Sequence, residues 1–172
     1  MEHISAIIAS VITAILTIIG TQYQQKRKNN IACRKNALYL YLNIKQIRTD
    51  IDRDKKAIDG NQPFLWTPYF NPFDYTAVLC ALNDKLTEQE ISKIFNFYEN
   101  IKKLDNSKTS YSNVYYNYYN YSTMNPGAIN PYQVQHNISF NNFKNNLNNI
   151  TNSDEYKIDI VEIMSKLRNI KG

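Results

Sequence analysis

Cys33–Ile58 reads CRKNALYLYLNIKQIRTDIDRDKKAI, and the spacing of its apolar residues decides the fold class. Cys33, Ala37, Leu40, Ile44, Ile47, Ile51 and Ile58 recur at helical intervals, so they share one face of a helix. Asp54 interrupts that face. No Pro or Gly lies between Gly20 and Gly60, so the helix is expected to run on continuously from the N-terminal segment. Gly60-Asn61-Gln62-Pro63 ends it, and residues 60–73 form an aromatic, Pro-punctuated connection. Phe64, Trp66 and Phe70 in that connection are expected to plug the end of a bundle.

Helical spacing continues downstream. A second helical region is predicted over residues 74–104, with Thr87 and Glu90 as a capping box that marks a restart near Leu86. Ile91, Ile94, Tyr98 and Ile101 carry its apolar stripe. Phe140, Phe143, Leu147 and Ile150 form a third stripe, and Tyr156, Ile160, Ile163, Leu167 and Ile170 a fourth, with Ser153 as the N-cap between them. The predicted fold is all-α: an N-terminal transmembrane helix (1–25), then an irregular four- or five-helix bundle (26–172) with a Tyr/Asn-rich loop at 106–137.

The transmembrane expectation rests on the segment ISAIIASVITAILTII, Ile4–Ile19. No Asp, Glu, Lys or Arg occurs between Glu2 and Lys26, and roughly 20 apolar residues span a bilayer. A cleaved signal peptide would carry a basic n-region and a small-residue cleavage site, whereas this chain begins with Glu2 and His3. Lys26, Arg27 and Lys28, reinforced by Arg34 and Lys35, follow the run. By the positive-inside rule they place the N-terminus outside and the bundle in the cytoplasm of a single-pass inner-membrane protein. One helical face carries His3, Ala6, Ser10, Thr13, Thr17, Gly20 and Gln24, small or polar throughout. Such a stripe fits helix–helix association, or the lining of a pore if several helices close into a ring. Back-bonding of the hydroxyls to their own helix is the alternative.

Composition removes many chemistries. With 20 basic and 15 acidic residues the net charge is +5, and 43% hydrophobic residues are too many for a disordered chain. Two cysteines and two histidines make neither a disulfide framework nor a zinc cluster. Four glycines form no phosphate-binding or dinucleotide-binding loop. No metal or cofactor is expected. Cys33 and Cys80 both lie in apolar surroundings and are expected in the core rather than as nucleophiles.

A second helix returning antiparallel to the first would gather charge by end. Lys26, Arg27, Lys28, Arg34 and Lys35 would stand near the bilayer with Lys102, Lys103, Lys108, Lys166, Arg168 and Lys171. The acidic residues from Asp50 to Asp59 would be distal. Under that topology the Tyr-rich stretch, with Tyr115, Tyr116, Tyr118 and Tyr119, faces the bilayer surface. Interfacial docking or subunit contact, base stacking with nucleic acid, and a composition-driven flexible loop all remain open readings for it.

An N-terminal single-pass helix joined to a small all-α domain, with the stretch Asn130-Pro-Tyr-Gln-Val-Gln-His136, resembles the membrane accessory proteins of type VI-B CRISPR systems. Those proteins carry a divergent HEPN-like domain beside an RNA-guided RNase. The family motif is Arg, a short spacer, then His. Here Asn130 stands in the Arg position and only His136 carries over. The resemblance implies an antiviral role at the membrane, with an RNA-guided nuclease or its products as partners. The functional expectation is a non-enzymatic, self-associating effector that forms a membrane pore. The alternatives are a tethered adaptor or immunity-type protein that binds a partner without conducting, and a ribonuclease using His136.

Overall fold

A single helix dominates the molecule. The computed structural model describes residues 2–60, 62, 66–69, 74–157 and 159–169, with backbone alone for 2–9, 155, 157, 159 and 160. α1 runs unbroken over Glu2–Asp59, 58 residues, or about 87 Å at the usual helical rise. Its stripe is buried as the spacing requires: Ala37, Leu40, Ile44 and Ile51 are inaccessible, and Cys33, Ile47 and Ile58 nearly so. Beyond the stripe, five shorter elements follow: α2 (Tyr75–Ala81), α3 (Glu88–Met124), α4 (Gln133–Asn152), α5 (Asp154–Lys157) and α6 (Asp159–Arg168). All regular structure among the described residues is helical, so the bundle expected from the sequence is observed.

Side-chain partners fix the directions of these helices. Tyr98 Oη donates to Asn43 Oδ1 at 2.8 Å, and Lys108 Nζ donates to Asp54 at 2.7 Å. Partner numbers rise together, so α1 and α3 run parallel. The antiparallel return expected of the second helix is made by a strap, residues 66–69, and by α2, which descend against α3 and α1 before α3 starts. Trp66 packs on Tyr111, Thr67 O accepts from Lys108, the Tyr69 amide donates to Asp105, and Tyr75 stacks on Tyr98. α4, α5 and α6 then run down the bundle, with Lys55 donating to Thr151, Tyr156 to Asp52 and Lys166 to Glu90.

The parallel register overturns the charge map drawn from the antiparallel one. Lys108 is buried, Lys102 pairs with Glu99, and Lys166 pairs with Glu90 at the start of α3. The basic face loses Lys102 and Lys108, Lys166 stays at the arm end but is paired, and Lys26, Arg27, Lys28, Arg34 and Lys35 remain exposed along α1. The Tyr-rich stretch also moves. It is not a loop, since α3 continues to Met124, and it projects past the C-terminal end of α1, away from the N-terminal segment. Only residues 125–132 connect α3 to α4, and Gly127 supplies the left-handed turn at φ 87°.

Caps account for the breaks. The Asp74 carboxylate accepts from the Ala77 amide at 2.9 Å and starts α2. Thr87 and Glu90 form the reciprocal box at the start of α3: the Thr87 amide donates to Glu90 at 2.7 Å and the Glu90 amide to Thr87 Oγ1 at 3.3 Å. Partial desolvation opposes ionisation of Glu90, but the donors on Thr87 and Lys166 outweigh it and hold the carboxyl below its ordinary range. Thr87→Ala is expected to lower stability by about 1 kcal/mol, measured by urea denaturation. Ser153 Oγ accepts from the Tyr156 amide at 3.3 Å and so starts α5 as the sequence suggests.

The membrane span is corrected. Among the described residues no helix is long and apolar enough to cross a membrane, which overturns the single-pass inner-membrane placement. Half of the residues from Ser10 to Gln25 are polar or glycine. The side chains of His3 and Ala6, at the start of the stripe, lie outside the described residues.

Candidate functional site

Three groups of residues stand out against the core: a buried ionic knot, the arm of α1 and the α3–α4 hairpin. The knot holds the other two in line. Asp54 is completely buried and Lys108 almost so. Asp54 Oδ2 accepts from Lys108 Nζ at 2.7 Å and from Tyr69 Oη at 2.7 Å. Lys108 Nζ also donates to Thr67 O at 2.8 Å and lies 3.8 Å from the centroid of the Tyr69 ring. Asp54 Oδ1 has no hydrogen-bond partner, with Arg53 Nε 3.6 Å away. Desolvation pulls the Lys108 ammonium below its ordinary range, against the opposing pull of Asp54. Burial, joined by the bond to Asp54, pushes the Tyr69 phenol strongly up. One carboxylate thereby ties α1, α3 and the strap together.

The arm is the N-terminal half of α1. Between Val11 and Tyr23 its large apolar side chains are half exposed or more, from Ile15 at 50% to Tyr23 at 69%. The small-polar face is present there. Thr17 Oγ1 donates to Thr13 O at 2.8 Å, and Thr21 Oγ1 reaches Thr17 O and Ile18 O, so both hydroxyls back-bond along the helix. A Cβ on Gly20 would meet nothing within 4 Å, and Ser10 and Gln24 are exposed on the same helix. Lys26 and the exposed cations that follow it lie where the arm enters the bundle. Gln25, Asn29, Cys33, Ala81, Asp84 and Lys85 line an open groove there of about 590 Å³.

The hairpin carries the aromatic residues. Tyr111, Tyr115 and Tyr118 turn toward α4 and the strap, while Tyr116 and Tyr119 face outward. Trp66 sits 5.3 Å from Tyr111 and 5.1 Å from Tyr115, ring centre to ring centre, so this part of the aromatic plug forms. Phe64 and Phe70 lie outside the described residues. His136 stacks on Tyr118 at 4.5 Å, its Nε2 is 3.2 Å from Tyr111 Oη, and its Nδ1 is 3.3 Å from Asn137 Oδ1. Burial pushes the Tyr111 phenol up to about 12, so neither neighbour of His136 exchanges a proton near neutral pH. Asn130 is the brace of the turn. Its amide donates to Tyr118 O at 2.8 Å and to Ser122 Oγ at 2.6 Å, while its Oδ1 accepts from the Tyr132 amide at 2.9 Å.

Cys33 is buried, whereas Cys80 is exposed on α2, contrary to the core position expected for it. Among the described residues no three His, Cys, Asp or Glu side chains gather as metal ligands. Asp54 interrupts the α1 stripe, and Lys108, the partner it meets in the knot, lies in the stretch whose composition reads as a loop. No protein-family model matches the chain, and comparison with curated proteins and with solved structures likewise returned no match.

Proposed function

We propose that the chain is a non-catalytic assembly protein whose α1 arm is buried against a second copy. The observation that carries this reading is the row Val11, Ile12, Ile15, Leu16, Ile18 and Ile19, each at least half exposed on a helix that leaves its own bundle. An apolar stripe along one side of a helix is the side that packs against a partner, and contiguous exposed apolar surface of this kind marks an interaction site. The hydroxyls of Thr17 and Thr21 support the same reading, because bonds to their own backbone satisfy their donors before any partner arrives. An effector of the antiviral kind implied by the resemblance would act through such an assembly rather than through His136, whose neighbours are phenols and an amide.

Hydrogen exchange of the full chain tests the reading. Burial of the arm predicts that amides from Val11 to Gln25 exchange more slowly as protein concentration rises, while those of the Ile94–Leu104 core do not change. Arm protection that is independent of concentration would count against self-association.

A further inference from the structure

All 20 basic and 15 acidic residues of the chain lie outside two segments, 3–25 and 109–143. The fold puts these segments at opposite ends. The first is the arm; the second is the far part of α3, the turn and the first half of α4. The hairpin end is exposed and apolar as well as uncharged: Tyr116, Tyr119, Met124, Ile129, Val134 and Ile138 are between 54% and 95% accessible. Tyr, Ser and Asn dominate the rest of its surface, a composition that gives large rigid contact area with adaptable hydrogen bonding.

We infer that the arm of one copy packs along the α3–α4 hairpin of the next copy, head to tail; this rests on the self-association proposed above and names the surface that receives the arm. Charge favours the pairing. Burying an unpaired charge is costly, and neither surface contains one. Side-by-side parallel arms would instead crowd the Lys26-Arg27-Lys28 clusters of two copies together. With the arm laid along the hairpin, those cations pass beyond the turn and stay in water. A nucleic acid is a poor occupant, because no Lys or Arg lies between Lys108 and Lys144 to neutralise phosphate. Because donor and acceptor surfaces differ, the contact is heterologous and repeats into a ring or a filament.

Two variants with complementary defects test the inference. Ile15→Lys with Ile19→Lys disables the arm, and Tyr116→Lys with Tyr119→Lys disables the hairpin. All four positions are exposed, so helical circular dichroism is expected to match the parent. Each variant alone is expected to be a monomer by light scattering, and an equimolar mixture a dimer that grows no further. A hairpin variant that assembles by itself like the parent would overturn the inference and leave self-association standing, as would a mixture that stays monomeric while the parent assembles. A monomeric parent would overturn both.

Discussion

Asp54→Ala is expected to lower the unfolding free energy by about 3–5 kcal/mol, because it leaves a buried ammonium without its counter-charge. The size follows from geometry. Asp54 Oδ2 accepts two donors, Lys108 Nζ and Tyr69 Oη, and both keep their buried positions when the carboxylate is removed. Thr67 O still accepts from Lys108 Nζ. Lys108→Met should also destabilise, since a nearly isosteric thioether leaves the buried Asp54 carboxylate with a phenol and the Arg53 guanidinium at 3.6 Å. The double variant Asp54→Leu with Lys108→Met removes both charges and should recover most of the loss. Urea denaturation followed by circular dichroism measures all three. Single variants within about 0.5 kcal/mol of the parent would mean that water reaches the pair.

The second large effect falls on assembly. Each fully buried Ile contributes about 1.5–3 kcal/mol, so Ile15→Lys with Ile19→Lys removes about 3–6 kcal/mol from an interface that covers both. That weakens association by roughly two to four decades. The monomer should be unharmed, because both side chains already face outward. Sedimentation of the parent and variant at matched concentrations checks this: the parent should sediment as an oligomer and the variant as a monomer of 20.1 kDa. Equal sedimentation of the two would place the interface elsewhere.

Local pattern made the helices legible. The stripe from Cys33 to Ile58 is buried residue for residue, and the Thr87–Glu90 box opens α3 where its spacing indicates. Direction was not legible, because helical periodicity carries no information on whether a partner runs parallel or antiparallel. Residues 66–69 and the short α2 already make the return, so α3 runs parallel to α1 and Lys102 and Lys108 do not join the cations of α1. The Tyr-rich stretch reads as a loop by composition, yet Tyr111, Tyr115 and Tyr118 follow helical spacing and pack on α4 and Trp66. The knot had a signal on both sides. Asp54 interrupts the α1 stripe, and Lys108 falls between Leu104 and Tyr111 on the α3 stripe. Opposite charges on two apolar faces point to a buried pair, but only a structure shows that the two positions face each other.

The central claim is that the α1 arm is buried by another copy. Light scattering of the purified full chain over a wide range of protein concentration tests it most directly. The account predicts a mass that is a multiple of 20.1 kDa and rises with concentration until a ring closes or a filament grows. A mass that stays at 20.1 kDa throughout, with the arm exposed, would contradict it.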